Sequence, residues 1–568
     1  MRKLKTALAV LSAVAMVIPS GTAFAASDDG GAGELTEVGT YPIYDGDEPL
    51  SFTMFRLSMP NVEDFATNDF TKYMEDLTNI HFDFETGTRD DRYDKINMEF
   101  NTGTYPDCIM YVSVDQAKWG MDEGILIPLD DLIYENMPNY VEKMGDYIDS
   151  TRAADGHIYA IAGFNDCYHC SFGRKMWVNT EYLDEMGVEV PTTTDEFYDV
   201  CKKFVETYPD KIAIGGANSG WYVDFVAWIM NAFQFDPGKS QDYNVKVAVD
   251  PDGNVVETAN TDAYREGLKY LRSLYDLGAI YDGDFTQDAE TLRNIMNQED
   301  EPVLFVPFGT ISDGVDADSN NELYRKYQCI APLKGPDGAQ YTTWFKYDAV
   351  EEGSFSITDK CTNPAALLRW VDYFFSEKGD ISSQYGADEG TDWVWEPNDG
   401  SVGLNGKPAM YEISDSAQYS SEAQNHDWQD VVIRYAPADY RLGQATDPDI
   451  DTGTSAGLEK LLYDASVMME PYKQDPAKGD LDILPTLKLT ADEASSISTI
   501  GVEVENYIAS SKVSFINGEW DINDDAQWDS YLKGLDDSGL QTLLEVYQTA
   551  YDRSKEASAE SETETAAE

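Results

Sequence analysis

Residues 193–214 read TTDEFYDVCKKFVETYPDKIAI and contain a helix followed directly by a short apolar strand. Thr193 and Glu196 have the spacing of a capping box, in which a hydroxyl and a carboxylate accept hydrogen bonds from the free amides that begin a helix. The following apolar residues recur at helical spacing until Pro209 ends the pattern: Phe197, Val200, Cys201, Phe204 and Val205. Residues 212–214 then predict a strand, so this stretch indicates an α/β protein.

The same alternation of helix and strand recurs along the chain. Thr261 precedes a second amphipathic helix that Gly278 is placed to end, and Asn363-Pro364 opens a third. Short apolar runs predict strands at 50–55, 108–112 and 303–308. Strands that alternate with helices are typical of sheets with crossover helices, so the predicted fold class is α/β.

Composition excludes one large class of partner. The 568 residues include 40 Lys+Arg and 105 Asp+Glu, which gives a formal net charge of −65. Because such a surface repels a phosphate backbone, we expect no nucleic-acid partner. The chain is 42% hydrophobic and 12% aromatic, which favours a folded protein with more than one core. Its 36 Tyr and 11 Trp suit either a core or a sugar-binding surface.

Both ends of the chain differ from its centre. Residues 1–25 combine a basic start, an apolar stretch and Ala23-Phe24-Ala25, which is typical of a secretory signal peptide cleaved before Ala26. The first cysteine is Cys108, so we see no cysteine at this site to carry a lipid. We expect an exported protein, either secreted or at the extracellular face of the cell membrane, or in a periplasm. Residues 26–48 are expected to be flexible, and the acidic residues 554–568 to be a disordered tail.

Two motifs suggest metal or redox chemistry without establishing it. Cys167-Tyr-His-Cys170 fits a zinc half-site, a redox pair or a disulfide, and a structural role is favoured because no second ligand pair accompanies it. Asp447, Asp449 and Asp451 have the spacing of calcium ligands, but the glycine and glutamate that should follow are one residue late for an EF-hand. Calcium binding there stays open, and we predict no metal site and no cofactor.

Catalytic motifs are equally weak. Gly453-Thr-Ser455-Ala-Gly457 has the letters of a nucleophile elbow but follows an acidic loop instead of a buried strand, so serine catalysis is not expected. No HExxH, Walker or dinucleotide-binding pattern occurs. A secreted glycoside hydrolase or lyase with paired carboxylates stays an alternative, because the required separation of about 5 to 9 Å is spatial.

Several separated stretches keep an order that is found in one protein family. They are Tyr105-Pro-Asp-Cys-Ile-Met-Tyr111, Gly124-Ile-Leu-Ile-Pro-Leu-Asp-Asp-Leu132, Asp155-Gly-His-Ile-Tyr-Ala160, Met176-Trp-Val-Asn-Thr-Glu-Tyr-Leu183, Tyr385-Gly-Ala-Asp-Glu-Gly-Thr-Asp-Trp393 and Phe515-Ile-Asn-Gly518. Together they resemble the family 1 extracellular solute-binding proteins of ABC importers, in the long-chain branch that binds sugars. Many long relatives have a calcium loop after the capped helix, whereas here residues 208–214 run straight into a strand.

The resemblance implies a two-lobed, periplasmic-binding-protein-like α/β fold in which each lobe is a sheet flanked by helices and the ligand lies in the cleft between lobes. Lobe I is expected to contain residues 49–162 with 340–402, and lobe II residues 163–339 with 403–553. The implied function is the capture of an oligosaccharide by hinge closure and its delivery to membrane permease subunits, by a monomer that is not an enzyme. The acidic composition favours a neutral sugar. A peptide or other solute on the same fold is an alternative.

Candidate ligand-binding residues follow from strand ends together with the resemblance. Ligands of open α/β sheets bind beyond the carboxyl ends of the strands. Aromatic rings suit the C–H face of a sugar, and Asp, Glu and Asn can pair with its hydroxyls. For each aromatic, core packing is the alternative role. The candidates are Tyr111, Asp115, Asn165, Trp221, Tyr222, Phe308, Trp344, Tyr347, Glu389 and Trp393.

Overall fold

The structure, a computed structural model, describes residues 33–565 except 89–90, 154, 238–245, 301, 316–320, 346–348, 396, 398–399, 415–422, 430, 486 and 488. The predicted signal peptide and the candidate Tyr347 lie outside the described residues.

The strands of the described chain fall into two main sheets and two small ones. They are β1 (Leu50–Leu57), β2 (Ile80–Gly87), β3 (Cys108–Met110), β4 (Ile161–Asn165), β5 (Met176–Asn179), β6 (Ile212–Ile214), β7 (Val247–Val249), β8 (Val255–Glu257), β9 (Val303–Pro307), β10 (Tyr327–Ile330), β11 (Val350–Ile357), β12 (Trp393–Trp395), β13 (Tyr411–Ile413), β14 (Tyr435–Ala436) and β15 (Asp482–Ile483).

Helices lie between and around these strands. They are α1 (Asp69–Thr78), α2 (Arg92–Thr102), α3 (Asp130–Asn136), α4 (Pro138–Ile148), α5 (Thr180–Met186), α6 (Thr194–Thr207), α7 (Phe225–Met230), α8 (Asp262–Asp276), α9 (Ala289–Met296), α10 (Glu322–Lys326), α11 (Pro364–Asp372), α12 (Glu377–Tyr385), α13 (Ala438–Leu442), α14 (Leu458–Met469), α15 (Ala491–Asn517), α16 (Asp525–Asp537) and α17 (Leu540–Thr565).

The first sheet has the order β14-β4-β11-β3-β1-β2 and forms the first lobe. Strands β1, β2 and β3 are parallel, β14 is parallel to β4, and β11 is antiparallel to both β3 and β4. All strands except β11 therefore have their carboxyl ends at one edge. Helices α1, α3, α4 and α11 contribute buried side chains to the core of this lobe, around Trp370 and Trp428.

The second sheet has the order β10-β5-β9-β6, in which β6 and β9 are parallel. Its faces are covered by α6, α7 and α8 and by the C-terminal helices α15, α16 and α17, whose apolar side chains share one core with those of β5 and β9. The two sheets and their separate helical layers confirm the predicted α/β fold of two lobes.

The capped helix forms for the reason the sequence indicates. The hydroxyl of Thr193 accepts a hydrogen bond from the amide of Glu196 at 3.2 Å, and Phe197, Val200, Cys201 and Phe204 are buried. The carboxylate of Glu196, however, accepts from the amide of Thr192 at 2.8 Å, one residue before the expected partner. The capping box is therefore only half formed.

Three stretches differ from the sequence-based expectations. Ile43, expected in a flexible segment, is 2% exposed and donates its amide to the carbonyl of Thr78 at 3.0 Å, because the first core buries its side chain. Helix α17 continues to Thr565, through most of the expected disordered tail, which contains good helix formers. Residues 424–429 and 431–436, expected in lobe II, belong to the first lobe, where Trp428 donates to the Oγ1 of Thr71 at 2.9 Å.

Candidate functional site

The carboxyl ends of the parallel strands bring the chemistry-bearing segments together. In the first sheet, β3 ends before Tyr111, β4 ends at Asn165, and β14 ends at Ala436, which is paired with Asn165. In the second sheet, β6 and β9 end before residues 215 and 308. Because ligands of open α/β sheets bind at this edge, the two edges define where a site should lie.

A cavity of about 280 Å³ lies where segments from these two edges meet. Thr310, Ser312 and Asp313 line it from the segment after β9, and Arg434 and Ala436 line it from β14 and the residue before it. Helices α12, α13 and α14 complete the wall with polar and aromatic side chains: Asp380, Gln384, Tyr385, Tyr440, Arg441, Glu459 and Lys460. We call this space the interlobe cavity.

Four side chains form a polar chain along one wall of the interlobe cavity. Arg441 donates from Nη1 to the Oδ1 of Asn165 at 3.2 Å, and its Nη2 lies 3.6 Å from Glu459 Oε1. The Oε2 of Glu459 lies 3.6 Å from the Nε2 of His169. We call these four residues the Arg441 network. It joins the end of β4 in the first sheet to α14, which packs on the core beside the second sheet.

The charges of the network perturb the ionisation of its members. Desolvation opposes ionisation of Glu459, but His169, Arg441 and Arg434 outweigh it and lower the pKa of Glu459 to about 2. Burial lowers the pKa of His169, and the nearby charge of Glu459 only partly opposes this. The carboxylate of Glu459 is therefore ionised at every pH at which the protein would work.

Asp380 is the most buried acid in the interlobe cavity, with 2% of its surface exposed. Its Oδ1 accepts from the Nε2 of Gln384 at 3.0 Å, and Gln384 in turn accepts from Arg434. The Oδ2 of Asp380 has no hydrogen-bond partner among the described residues. Burial raises the pKa of Asp380 to about 7, although Arg434 lowers it. A buried acceptor without a partner is a strong recognition point for a ligand hydroxyl.

Aromatic rings lie beside these polar groups. Tyr411 and Tyr440 line the cavity with ring centroids 4.9 Å apart, and Tyr385 is a further lining residue. Sequence analysis missed Asp380, Arg434, Tyr440 and Arg441. None of them follows one of the predicted strands, and only the pairing of β14 with β4 brings Arg434 and Arg441 to the sheet edge.

The candidates of the first lobe lie at its carboxyl edge. Asn165 is in the Arg441 network and also donates from Nδ2 to Glu351 at 3.2 Å. Tyr111 is half-buried with a left-handed φ of 57°, which ends β3 two residues earlier than expected. Asp115 is exposed and accepts from the amide of Lys118 at 3.1 Å. Among these three candidates, the structure places Asn165 beside the interlobe cavity.

The candidates of the second lobe differ in exposure. The half-exposed ring of Trp221 lies over Gly309, where an added Cβ would come within 2.4 Å of the ring. Tyr222 is buried beneath Arg174, whose guanidinium lies 5.7 Å from the ring centroid. Phe308 has no exposed surface and belongs to the core behind β9, so core packing accounts for it in this conformation. Only Trp221 among these three presents surface to a ligand.

The remaining described candidates are also divided. Trp344 is half-buried, and the Nζ of Lys473 lies 4.7 Å from its ring centroid. Glu389 is exposed, with its Oε2 3.7 Å from the Nζ of Lys378. Trp393 is 1% exposed and donates from Nε1 to the carbonyl of Gly386 at 2.9 Å, as expected of a core residue. Ligand contact by any of these residues stays a prediction.

The motifs left open by the sequence have other roles in the structure. Cys167 and Cys170 form a disulfide next to His169, so their sulfur atoms are bonded to each other and not free to hold zinc. Both carboxylate oxygens of Asp451 face the guanidinium of Arg325, at 2.8 and 3.1 Å. Ser455 begins a short 3-10 helix instead of following a strand. Within the described residues, no helix has the length and apolar character needed to cross a membrane.

Two α/β lobes with a polar cavity between their sheets are the architecture of the two-lobed solute-binding class. The family of bacterial extracellular solute-binding proteins matches residues 60–381. The chain belongs to this family.

Relatives and solved structures agree with this assignment. The fructooligosaccharide ABC transporter substrate-binding protein FusA of Streptococcus pneumoniae is 25% identical over 501 residues, which cover 84% of this chain and 86% of that protein. Its solved structure in complex with kestose covers 89% of this chain and 100% of its own, at 22% identity and a TM-score of 0.70. A solute-binding protein of Bifidobacterium longum infantis, described as binding HMO, gives a TM-score of 0.69 at 18% identity over 89% of this chain and 99% of its own.

Proposed function

We propose that this protein is the extracellular substrate-binding component of an ABC importer and captures an oligosaccharide between its lobes. The observation that carries the proposal is the interlobe cavity, in which segments at the carboxyl edges of both sheets supply polar groups and tyrosine rings. The likeness to a fructooligosaccharide-binding protein over most of both chains supports the same ligand class.

Capture works by differential contact with the two lobes. A ligand that touches Asp380 and Arg434 on one side and Thr310 and Asp313 on the other gains its full binding energy only when the lobes are closed. The ligand therefore shifts the population toward the closed state, and membrane permease subunits then receive the ligand unchanged. In this proposal the protein acts as a monomer at the outer face of the membrane and catalyses no reaction.

The charge of the cavity favours a neutral ligand. Its lining holds three basic side chains, Arg434, Arg441 and Lys460, and three acidic ones, Asp313, Asp380 and Glu459. Arg441 and Glu459 lie against each other, Arg434 faces Gln384 beside Asp380, and Lys460 pairs with Asp464 on the same helix, so each basic group already has a partner within the protein. A neutral sugar needs hydroxyl partners and no net charge, which this wall provides.

Calorimetric titration of the purified protein with 1-kestose and with trigalacturonate tests the proposal. We expect saturable binding of the neutral trisaccharide and at least tenfold weaker binding of the acidic one. The same mixtures, held for a day and analysed for new reducing ends, separate a binding protein from a glycoside hydrolase. Release of fructose would overturn the non-enzymatic proposal, and preference for trigalacturonate would replace the neutral ligand with an acidic one.

A further inference from the structure

A second cavity, of about 170 Å³, lies within the second lobe and shares no lining residue with the interlobe cavity. Its walls come from the segment after β6, the start of α7, the 3-10 turn Asp282–Phe285 and helix α15. The lining residues are Ala217, Asn218, Asp224, Phe225, Val226, Asp284, Phe285, Ala509, Lys512 and Val513. We call it the lobe II cavity.

Asp284 is the group in this cavity that needs a partner. It is 3% exposed, and its Oδ1 accepts from the amide of Gly216 at 2.9 Å and from the Nε2 of Gln287 at 3.1 Å. Its Oδ2 is buried and has no hydrogen-bond partner among the described residues. An unmatched buried polar atom lowers stability, so a ligand that donates a hydrogen bond to this oxygen would bind more tightly for doing so.

The other two charged groups of the cavity, Lys512 and Asp224, form an ion pair with each other. The Nζ of Lys512 lies 3.5 Å from the Oδ2 of Asp224, whose Oδ1 accepts from the amide of Val226 at 2.9 Å. Among the described residues no cation pairs with Asp284: burial raises the pKa of its carboxyl well above the usual range, the charge of Asp282 raises it further, and the amides of Gly216 and Tyr281 only partly oppose this. An ammonium ligand would supply a positive charge beside the carboxyl, which would give up its proton as the ligand binds.

Apart from Asn218, which donates from Nδ2 to the carbonyl of Phe285 at 3.3 Å, the rest of the wall is apolar. Phe225, Val226, Phe285 and Val513 surround the space beside the two carboxyl groups. The volume of about 170 Å³ is well above the roughly 10–15 Å³ that one water molecule needs on the same measure, so the cavity has room for a short chain of several non-hydrogen atoms. An inorganic ion would leave these apolar side chains without contacts, whereas a short aliphatic chain would fill the space against them.

We propose that the lobe II cavity binds a small organic ammonium ion, with its ammonium group on Asp284 and its aliphatic chain against Phe225 and Phe285. This inference does not depend on the identity of the oligosaccharide, because the two cavities are separate. It adds a second ligand, of a different chemical class, to the second lobe.

Calorimetric titration with n-butylammonium chloride tests the proposal, with 1-butanol and potassium chloride as matched probes. The alcohol has the same chain without the charge, and potassium has the charge without the chain. We expect saturable binding of butylammonium and at least tenfold weaker binding of both other probes. Equal binding of the alcohol would show that the cavity is merely apolar. Equal binding of potassium would show that it is a site for inorganic cations. If no probe binds, the cavity holds only water. Each of these results would overturn the proposal.

Two variants assign the binding to the cavity. Asp284→Asn keeps the size and the acceptor for Gly216 but cannot ionise when the ammonium ion binds, and should weaken butylammonium binding at least tenfold. Asp282→Asn removes a charge from the exposed neighbour two residues earlier and should leave the affinity within twofold. Circular dichroism and thermal unfolding check that both variants are folded. Unchanged butylammonium binding by folded Asp284→Asn protein would overturn the assignment.

Discussion

Arg441 and Asn165 are 276 residues apart in the sequence, yet the guanidinium of Arg441 donates to the side-chain oxygen of Asn165 at 3.2 Å. The same guanidinium faces Glu459 of α14 at 3.6 Å. One side chain thus contacts both the last residue of a first-lobe strand and a helix packed beside the second sheet. The relative position of the lobes should depend on it.

Replacing Arg441 by Lys should weaken oligosaccharide binding about tenfold. Lysine keeps the positive charge but cannot contact Asn165 and Glu459 from two nitrogen atoms at once, so the closed arrangement loses part of its support. Calorimetry with 1-kestose measures the affinity. Lys407→Ala is the control, because it removes an exposed ion pair with Asp439 in the same part of the chain. Equal losses in both variants would contradict a specific role for Arg441.

Asp380 should make stability depend on pH near neutrality. Its pKa rises on folding from 3.8 to about 7, so the folded state holds a proton that the unfolded state releases between these values. The free energy of unfolding should therefore fall as pH rises from about 4 to 7 and then level off, with a contribution of the order of 2–4 kcal/mol.

The Asp380→Asn variant tests this sign. Asparagine has no carboxyl to ionise, so the variant should match the wild type at about pH 3.5, where Asp380 is protonated in both states, and be the more stable protein at pH 8. Urea unfolding at both pH values measures the difference. A variant that is less stable at pH 8 would show that contact with Arg434 outweighs the cost of burying the charge.

Glu459 should respond to pH in the opposite direction. Its pKa falls from 4.5 to about 2, so its contribution to the free energy of unfolding is complete above about pH 4.5 and is lost as pH falls toward 2. The half-exposed carboxylate makes this contribution small. Glu459→Gln should thus differ from the wild type at pH 7 but converge with it near pH 2, as followed by circular dichroism. A constant difference would assign the effect to packing.

Trp221 should contact the ligand and Trp395 should not. The ring of Trp221 is half-exposed over Gly309, at the carboxyl edge of the second sheet, whereas Trp395 packs with Trp393 in a separate small core. Trp221→Ala should therefore weaken 1-kestose binding by a factor of about ten or more, since stacking on an aromatic ring contributes about 1–2 kcal/mol. Trp395→Ala should lower stability and leave affinity unchanged. The reverse pattern would exclude Trp221 from the site.

Loss of the Cys167–Cys170 disulfide should reduce ligand affinity more clearly than it reduces the stability of the protein. It closes a short loop, so its loss should lower the free energy of unfolding by about 2 kcal/mol or less. His169 lies between the two cysteines and lines the interlobe cavity, so the double variant Cys167→Ser/Cys170→Ser should release its ring from Glu459 and weaken 1-kestose binding several-fold. Added dithiothreitol should have the same effect on the wild type and none on the variant.

Local patterns predicted much of the fold. The caps at Thr193, Thr261 and Asn363 all accept the expected backbone amides, and apolar runs located β1 and β3 of the first sheet and β9 of the second. These elements are decided by neighbouring residues, so a sequence reveals them. The family resemblance supplied the division into two lobes.

The site was harder to predict because distant contacts build it. Arg434 and Arg441 reach the cavity through β14, a strand of only two residues whose pairing with β4 has no local signal. Asp380 is one of 105 acids, and its single distinction is burial against Gln384 and Arg434. Phe308 and Trp393 are candidates whose rings are buried in this structure. An aromatic residue near the end of a strand can pack into the core, and the sequence does not distinguish this position from an exposed one.

Trp428 packs in a core whose first member is Ile43, and it donates a hydrogen bond to Thr71, 357 positions earlier. A ribosome makes proteins from the amino end, so the first lobe cannot complete its interior until about three-quarters of the polypeptide has been synthesised. The core of the second lobe includes side chains from α15, α16 and α17, so it too cannot form completely until these late helices have been synthesised. Neither lobe can therefore complete its folding early. Until it does, the growing chain exposes aromatic side chains to which a chaperone could bind.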